Sequence, residues 1–344
     1  MTIKDIAKLS GYGVGTVSRV LNNHPDVSER ARKKILAVVE SQGFEPNSNA
    51  RHLKMQAPSS IAVLVKGTQN MLFADILERI QAVLRDHEED VYVAYLDEDA
   101  DEVQYAVQLQ KIRRPKGLIF LGGDLEHFRR SFYQITVPCV LLTNQAADLK
   151  FSLLSSFATD DTGACEAVAD FLVEKGHRTI GVLGGNLSAE QISTLRLNGI
   201  KNALARHQIA FDSEIQHEPC RFSMACGYQA AMKLLRRMPN ITALFALGDV
   251  IALGAMRALW DLGLRIPQDI SIIGYDDIAS AQFCYPRLTT IRQDAAALAE
   301  KGVQALLRRL SSSGAPVHEI IPFQLCERES VQPYVNAESI VKKG

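Results

Sequence analysis

Long apolar runs are missing from this 344-residue chain. No stretch approaches the ~20 residues that a membrane-spanning helix needs, and the N-terminus has no apolar core of a secretory leader. The expectation is a cytoplasmic protein. The six cysteines, Cys139, Cys165, Cys220, Cys226, Cys284 and Cys326, form no C-x-x-C pair, so idle thiols are expected rather than a disulfide framework or zinc site. His177 has no second histidine or carboxylate at ligand spacing, and a turn or capping role is expected for it. The glycine pairs at 122–123 and 184–185 are followed by neither G-K-[ST] nor a G-x-G-x-x-G spacing, which removes the phosphate-cradling loops. Asp276 and Asp277 are adjacent on a strand end and point to opposite faces, so they do not flank one substrate bond. No catalytic constellation emerges. No metal or cofactor is expected, and the chain does not read as an enzyme.

Overall charge is also nearly absent, at −1, but it is unevenly spread. Residues 1–60 carry nine Lys/Arg against five acids, and the remainder 29 against 34. A small basic head on an acidic body suits a module drawn to phosphate, although a solvated helix face gives the same count. A chain of this length is expected to fold as two or three domains, and 47% hydrophobic residues supply an ample core.

Three short helices can be read in the head. "TIKDIAKLSG" places Ile3, Ile6, Ala7 and Leu9 on one face and stops at Gly11. "VGTVSRVLNN" spaces Val14, Val17, Val20 and Leu21 helically. "VSERARKKILAVVESQGF" starts at Ser28 as N-cap, turns Ala31, Ile35, Val38 and Val39 inward, and offers Gly43 as its stop. Two short helices with a glycine in the bend make a helix-turn-helix pattern, whose second helix can enter a DNA major groove. Small residues at Gly13 and Gly15 permit close approach to base edges. Arg19 can fork onto a guanine, and Thr16 and Ser18 can bond phosphates or bases. On the residues alone, those glycines equally suit a loose loop. "PNSNARHLK" gives a helix of about seven residues, marginal in isolation, followed by the linker "KMQAPSS".

From Ser60 onward, short apolar runs alternate with amphipathic helices: "SIAVLV" before "FADILERIQAVLRDH", "VYVAYL", "GLIFLG", "PCVLLT", then "TGACEAVADFLVEKG", "RTIGVLGG", "TALFALG" and "DISIIGYDD". Such alternation implies parallel sheets covered on both faces. Two sets imply two doubly wound lobes with a ligand cleft at the strand ends. Trp260 lies on an amphipathic helix and is expected to pack inward.

The blocks "TIKDIAKLSG", "TVSRVLN", "VSERARKKI" and "GFEPNSNARHLK", in that order, resemble the N-terminus of the lactose-repressor (LacI/GalR) family of bacterial transcription regulators. "EKGHRTIGVLGG", the R-x-x-G of Arg196 to Gly199, "GDVIALGAM", "DLGLRIPQDISIIGYDD" and "PRLTTIRQD" resemble that family's periplasmic-binding-protein-like effector domain. The resemblance spans about 330 of 344 residues. It implies an all-α helix-turn-helix head over 1–46, a hinge helix and linker over 47–59, and an effector-binding body over 60–335. One lobe would hold 60–159 plus 292–321, the other 160–291 plus 322–335, with a tail at 336–344.

For DNA, the resemblance implies contacts from Thr2, Val14, Gly15, Thr16, Ser18, Arg19, Asn22 and Asn47, with Val14 and Gly15 reading bases. Leu53 would wedge into a minor groove with Ala50 packed beside it. For the effector, it implies Phe73, Asp160, Arg196, Phe222, Asp249 and Asp276, with the two phenylalanines stacking on the ligand. Asp160 and Asp249 equally suit helix N-capping. The chain departs from the family at Tyr12 (usually Val), Gly13 (usually Ser), Leu72 (often aromatic) and Gly248 (often Asn). Glu190 and Ile192 do not reproduce the purine repressor's base-contacting pair. The expected partners are double-stranded operator DNA, a sugar-like small-molecule effector and a second copy of the chain. Because the tail "VNAESIVKKG" lacks a leucine heptad, a dimer is expected rather than a tetramer. The expected function is a repressor of carbohydrate-utilisation genes. The alternative is a sugar-binding or sugar-processing protein that does not bind DNA.

Overall fold

The structure, a computed structural model, describes residues 3–21, 27–41, 60–185, 192–312 and 314–334. The chain divides into a head, Met1–Ala57, and a body, Pro58–Gly344.

In the head, α1 (Ile3–Ser10), α2 (Val14–Leu21) and α3 (Glu29–Ser41) pack around Ile6, Ala7, Val17, Val20 and Ile35. Gly11 ends α1 with φ +73°, its N–H donating to the Ala7 carbonyl; the left-handed turn needs a residue without Cβ. Ser28 caps α3, its Oγ accepting from Ala31 N at 3.4 Å. One expectation fails: Leu9 is 56% exposed rather than inward. At about 100° per residue, Ile6, Ser10 and Ala7 fill one arc of α1, and Leu9 falls about 60° beyond its edge. Polar Ser10 takes the buried place because its hydroxyl can return a hydrogen bond to Ala7 O at 3.3 Å.

The body holds two six-stranded sheets. The first contains β1 (Ser60–Lys66), β2 (Asp90–Leu96), β3 (Gly117–Leu121), β4 (Cys139–Leu142), β5 (Leu154–Thr159) and β11 (His318–Ile321), in the order β11-β5-β4-β3-β1-β2. The second contains β6 (Ile180–Leu183), β7 (His217–Glu218), β8 (Ala243–Ala246), β9 (Ser271–Asp276), β10 (Thr289–Gln293) and β12 (Phe323–Cys326), in the order β12-β10-β9-β8-β6-β7. Among the described strands, only β12 runs antiparallel, against β10. Strands β3 to β6, β8 and β9 are buried along their whole length. Their unbroken apolar runs are therefore those of sheets covered on both faces.

The covering helices are α4 (Met71–Asp86), α5 (Glu102–Arg113), α6 (Leu125–Ser131) and α13 (Ala295–Ser311) on the first sheet. On the second they are α7 (Asp161–Glu174), α8 (Ile192–Arg206), the short α9 (Ser213–Gln216), α10 (Met224–Arg237), α11 (Asp249–Asp261) and α12 (Ala279–Phe283). The chain leaves the first sheet after Thr159, returns after Gln293 through α13, and passes over again between Ile321 and Phe323.

Two helix pairs pack at glycine. A Cβ on Gly199 of α8 would overlap the Thr162 carbonyl of α7, and one on Gly254 of α11 would overlap the Met224 carbonyl of α10. Trp260 does not pack inward as expected: it is 71% exposed. It follows Ile251 by nine residues, about half a turn round α11 from the buried face. All six cysteines are free thiols. No helix among the described residues is long and apolar enough to cross a membrane.

Candidate DNA-contacting helix and effector cleft

In the head, the start of α2 stands open. Gly13 and Gly15 are exposed, and a Cβ on either would meet nothing within 4 Å among the described residues. The Gly13 carbonyl accepts from Thr16 N and Val17 N, so it takes the cap position without a side chain. Arg19 is exposed on the side of α2 away from Val17 and Val20, and Thr16 is half-buried beside that core face. Tyr12, unusual at its position, packs on the head's core and lies 5.7 Å below the ammonium of Lys34. Val14 and Ser18 lie within α2. Thr2, Asn22, Asn47, Ala50 and Leu53 fall outside the described residues, as do Gly43 and the tail from 335 onward.

In the body, the carboxyl ends of the two sheets enclose a cavity of about 240 Å³. Lys66 ends β1, Gly122 follows β3, Asp276 ends β9 and Gln293 ends β10; all four line it. Such placement is inherent in doubly wound sheets, whose strand ends diverge where the strand order reverses.

Four of the six expected effector residues meet here: Phe73, Arg196, Phe222 and Asp276. Arg196 is only 3% exposed. Its Nε donates to Asp161 Oδ1 at 2.7 Å and its Nη1 to the Leu247 carbonyl at 2.6 Å. The Tyr275 hydroxyl donates to the same Asp161 oxygen at 2.8 Å. Burial works against the guanidinium's charge, but Asp161, Tyr275 and Asp276 more than offset it and hold Arg196 protonated. The close packing of α7 and α8 at Gly199 lets this pair form.

Asp276 is also 3% exposed. Its Oδ1 accepts from Gln293 Nε2 at 2.7 Å. Burial pushes its carboxyl up to about 6, opposed by the Arg196 charge and the Gln293 hydrogen bond. Asp277, next in sequence, faces elsewhere and bonds Arg292 at 2.7 Å and Arg328 at 2.6 Å. Each phenylalanine lies against a glycine. A Cβ on Gly122 would meet the Phe73 ring at 2.9 Å, and one on Gly248 the Phe222 ring at 3.0 Å. The glycine at 248 is therefore what gives Phe222 room.

The other two carboxylates are placed differently. Asp160 is the exposed N-cap of α7, accepting from Gly163 N at 2.9 Å, and does not line the cavity. Asp249 is fully buried; it accepts from Thr290 Oγ1 at 2.6 Å and Ile278 N at 2.9 Å and ties α11 to β10, again away from the cavity. It does not cap α11, whose cap position is Gly248.

Residues not anticipated include Asp161, Tyr275, Gln293 and Ser193. Ser193 lines the cavity, and its buried Oγ has no hydrogen-bond partner among the described residues. Across the mouth, Arg221 bonds Asp97 at 2.6 Å and also Asp99. Lys66 Nζ bonds Glu102 Oε2 at 2.6 Å, with His127 Nδ1 2.9 Å from the same oxygen. Asp101, Glu102 and His127 are the one cluster of metal-ligand type among the described residues. The Lys66 ammonium already supplies a cation there. His177 is buried and bridges Thr242 Oγ1 at 3.0 Å and the Gln332 carbonyl at 3.1 Å.

Residues 2–47 match the bacterial regulatory proteins of the lacI family, and residues 169–331 match the periplasmic binding protein-like domain. The chain is 35% identical to the HTH-type transcriptional regulator MalR of Clostridium butyricum, covering 96% of this chain and 99% of that protein. It is 32% identical to the ribose operon repressor of Haemophilus influenzae, over 96% of this chain and 98% of that one. The lac repressor dimer bound to operator and the anti-inducer ONPF superposes with a TM-score of 0.69 at 28% identity, covering 96% and 99% of the two chains. With an open helix-turn-helix in the head, a cleft between two doubly wound lobes in the body, and relatives matched over nearly its whole length, this chain is a member of the LacI family of DNA-binding transcriptional regulators.

Proposed function

We propose that the protein represses carbohydrate-utilisation genes in the cytoplasm as a homodimer, without enzymatic activity. Two heads bind a pseudo-palindromic operator, and a sugar in the cleft biases whether the hinge segments pair on it. The observation that carries this reading is the bare start of α2, where Gly15 leaves space for a base edge and Arg19 extends into solvent. Val14, Thr16 and Ser18 on the same helix, together with Thr2 and Asn22, complete the major-groove set. Asn47, Ala50 and Leu53 form the minor-groove set. Phe73, Phe222, Arg196 and Asp276 hold the effector. Asp160 and Asp249 act on it only through the helices they anchor. Dimeric binding and sugar effectors fit the operator-bound lac repressor dimer and the ribose operon repressor among its relatives.

A gel shift of the full-length protein on the upstream region of its own gene tests the reading. Specific retention that weakens steeply with salt, and that a sugar modulates, is expected. Sugar binding with no DNA retention at low salt would replace it with a free-standing sugar-binding protein.

A further inference from the structure

The effector's charge is written in the ion pairs around the cleft. Three cationic side chains line it, Lys66, Arg196 and Arg221. Each already holds a carboxylate: Lys66 holds Glu102, Arg196 holds Asp161, and Arg221 holds Asp97 and Asp99. The lining adds Glu98, Asp124 and Asp276. Three cations thus stand against seven carboxylates. The segment 186–191, outside the described residues, contributes no lysine or arginine to the sequence.

Helix N-termini are the other feature of the cleft that attracts anions, through their free amides. Four helices begin at the cleft, α4, α6, α8 and α10, and at three of them a cap side chain already takes one first-turn amide. Asn70 accepts from Leu72 N at 3.1 Å, Asp124 from Glu126 N at 3.0 Å, and Ser223 from Cys226 N at 3.2 Å. One of these caps is itself an anion. Among the described side chains, what remains open to a ligand is neutral or acceptor in kind: the buried hydroxyl of Ser193, the Asp276 carboxylate, and the faces of Phe73 and Phe222.

We infer that the cleft takes an uncharged polyhydroxylated ring and rejects phosphorylated and carboxylated sugars. A hydroxyl-bearing ring can donate to Asp276, use either hydrogen-bonding capacity of Ser193, and lay its C–H faces on the phenylalanines. A phosphate or uronate finds no free cation among the described residues and meets a surplus of like charge, a juxtaposition that disfavours binding strongly in a partly desolvated site. The inference rests on the proposal that this cleft is the effector site.

The test is a thermal-shift and operator-retention assay on the full-length protein with matched probes. Ribose, glucose, galactose, maltose and cellobiose are set against ribose 5-phosphate, glucose 6-phosphate, galacturonate and maltose 6′-phosphate. At least one neutral sugar is expected to raise Tm and alter retention. Its charged counterpart should bind at least about tenfold more weakly. Equal or tighter binding by the anion overturns the inference and leaves the effector proposal standing. Binding by no sugar of either charge overturns both. In D97N/D99N, which leaves Arg221 only Glu98 at 3.9 Å, the gap between neutral and anionic sugars should narrow; an unchanged gap overturns the charge-pairing origin of the selectivity.

Discussion

The guanidinium of Arg196 lies over the ring of Tyr275, 3.7 Å from its centroid, while both side chains converge on a single oxygen of Asp161. A buried cation is thus satisfied by a ring face, a carboxylate and the Leu247 carbonyl before any ligand arrives. Its position is set in advance, which reduces the ordering a ligand must bring about.

Arg196→Ala is accordingly expected to act on the fold as well as on the ligand. Removing one partner of a buried pair strands Asp161, at a cost of about 3–5 kcal/mol. Tyr275→Phe keeps the ring and loses only one hydrogen bond, costing about 1–2 kcal/mol. Denaturant unfolding of both variants checks the order. If Arg196→Ala were as stable as the parent, Asp161 would not be held as described.

Asp276→Asn isolates the effector role. The native carboxyl is raised from 3.8 to about 6 by burial. Between pH 4 and 6 the unfolded chain therefore binds fewer protons there than the native state, and this group's contribution to stability falls as pH rises. The Asn variant lacks that loss. Its Tm relative to the parent should climb across pH 4–6 and level off above it, by the equivalent of about 2–3 kcal/mol. Effector affinity of the parent should weaken below pH 6 as the acceptor protonates, and in the variant should be weak throughout. A Tm difference that does not vary with pH would contradict the buried, ionised carboxylate.

Two glycine-to-alanine changes should have opposite signs. Gly254→Ala drives a methyl into the Met224 carbonyl, so α10 and α11 must separate, and a loss of about 1–3 kcal/mol is expected. Gly15→Ala meets nothing, so α2 should gain up to about 1 kcal/mol while operator affinity changes. Thermal melts of the two variants decide it; destabilisation by Gly15→Ala would mean the start of α2 is not open.

Arg19→Ala is expected to leave Tm within a degree or two, since the side chain is exposed. Operator affinity should fall by about 1–3 kcal/mol if the residue forks onto a guanine. Gel shifts at fixed salt measure it. An unchanged affinity would remove Arg19 from the interface.

The alternation of strands and helices, and the cleft at their carboxyl ends, were legible because apolar runs buried on both faces carry their own pattern. Local features were less so. Asp160 and Asp161 are adjacent carboxylates with opposite fates, one capping α7 in solvent and the other paired with Arg196, and only the direction of the helix start separates them. Leu9 and Trp260 looked like core by residue type, but which arc of a helix is covered depends on neighbours that the sequence does not place. Gln293 and Ser193 carried no signal at all, since an amide and a hydroxyl acquire meaning only from what surrounds them.

Gln293 is where the chain recrosses between the sheets, and its amide has two ends. Its nitrogen donates to Asp276 in the cleft, and its oxygen accepts from Thr159 Oγ1 at 3.0 Å, at the other crossing. Under the proposed function, a sugar hydroxyl that draws Asp276 forward would pull on a three-membered linkage that ties together two of the crossings between the sheets. Occupancy would then register where the chain passes from one sheet to the other, not only at the strand ends that line the cavity.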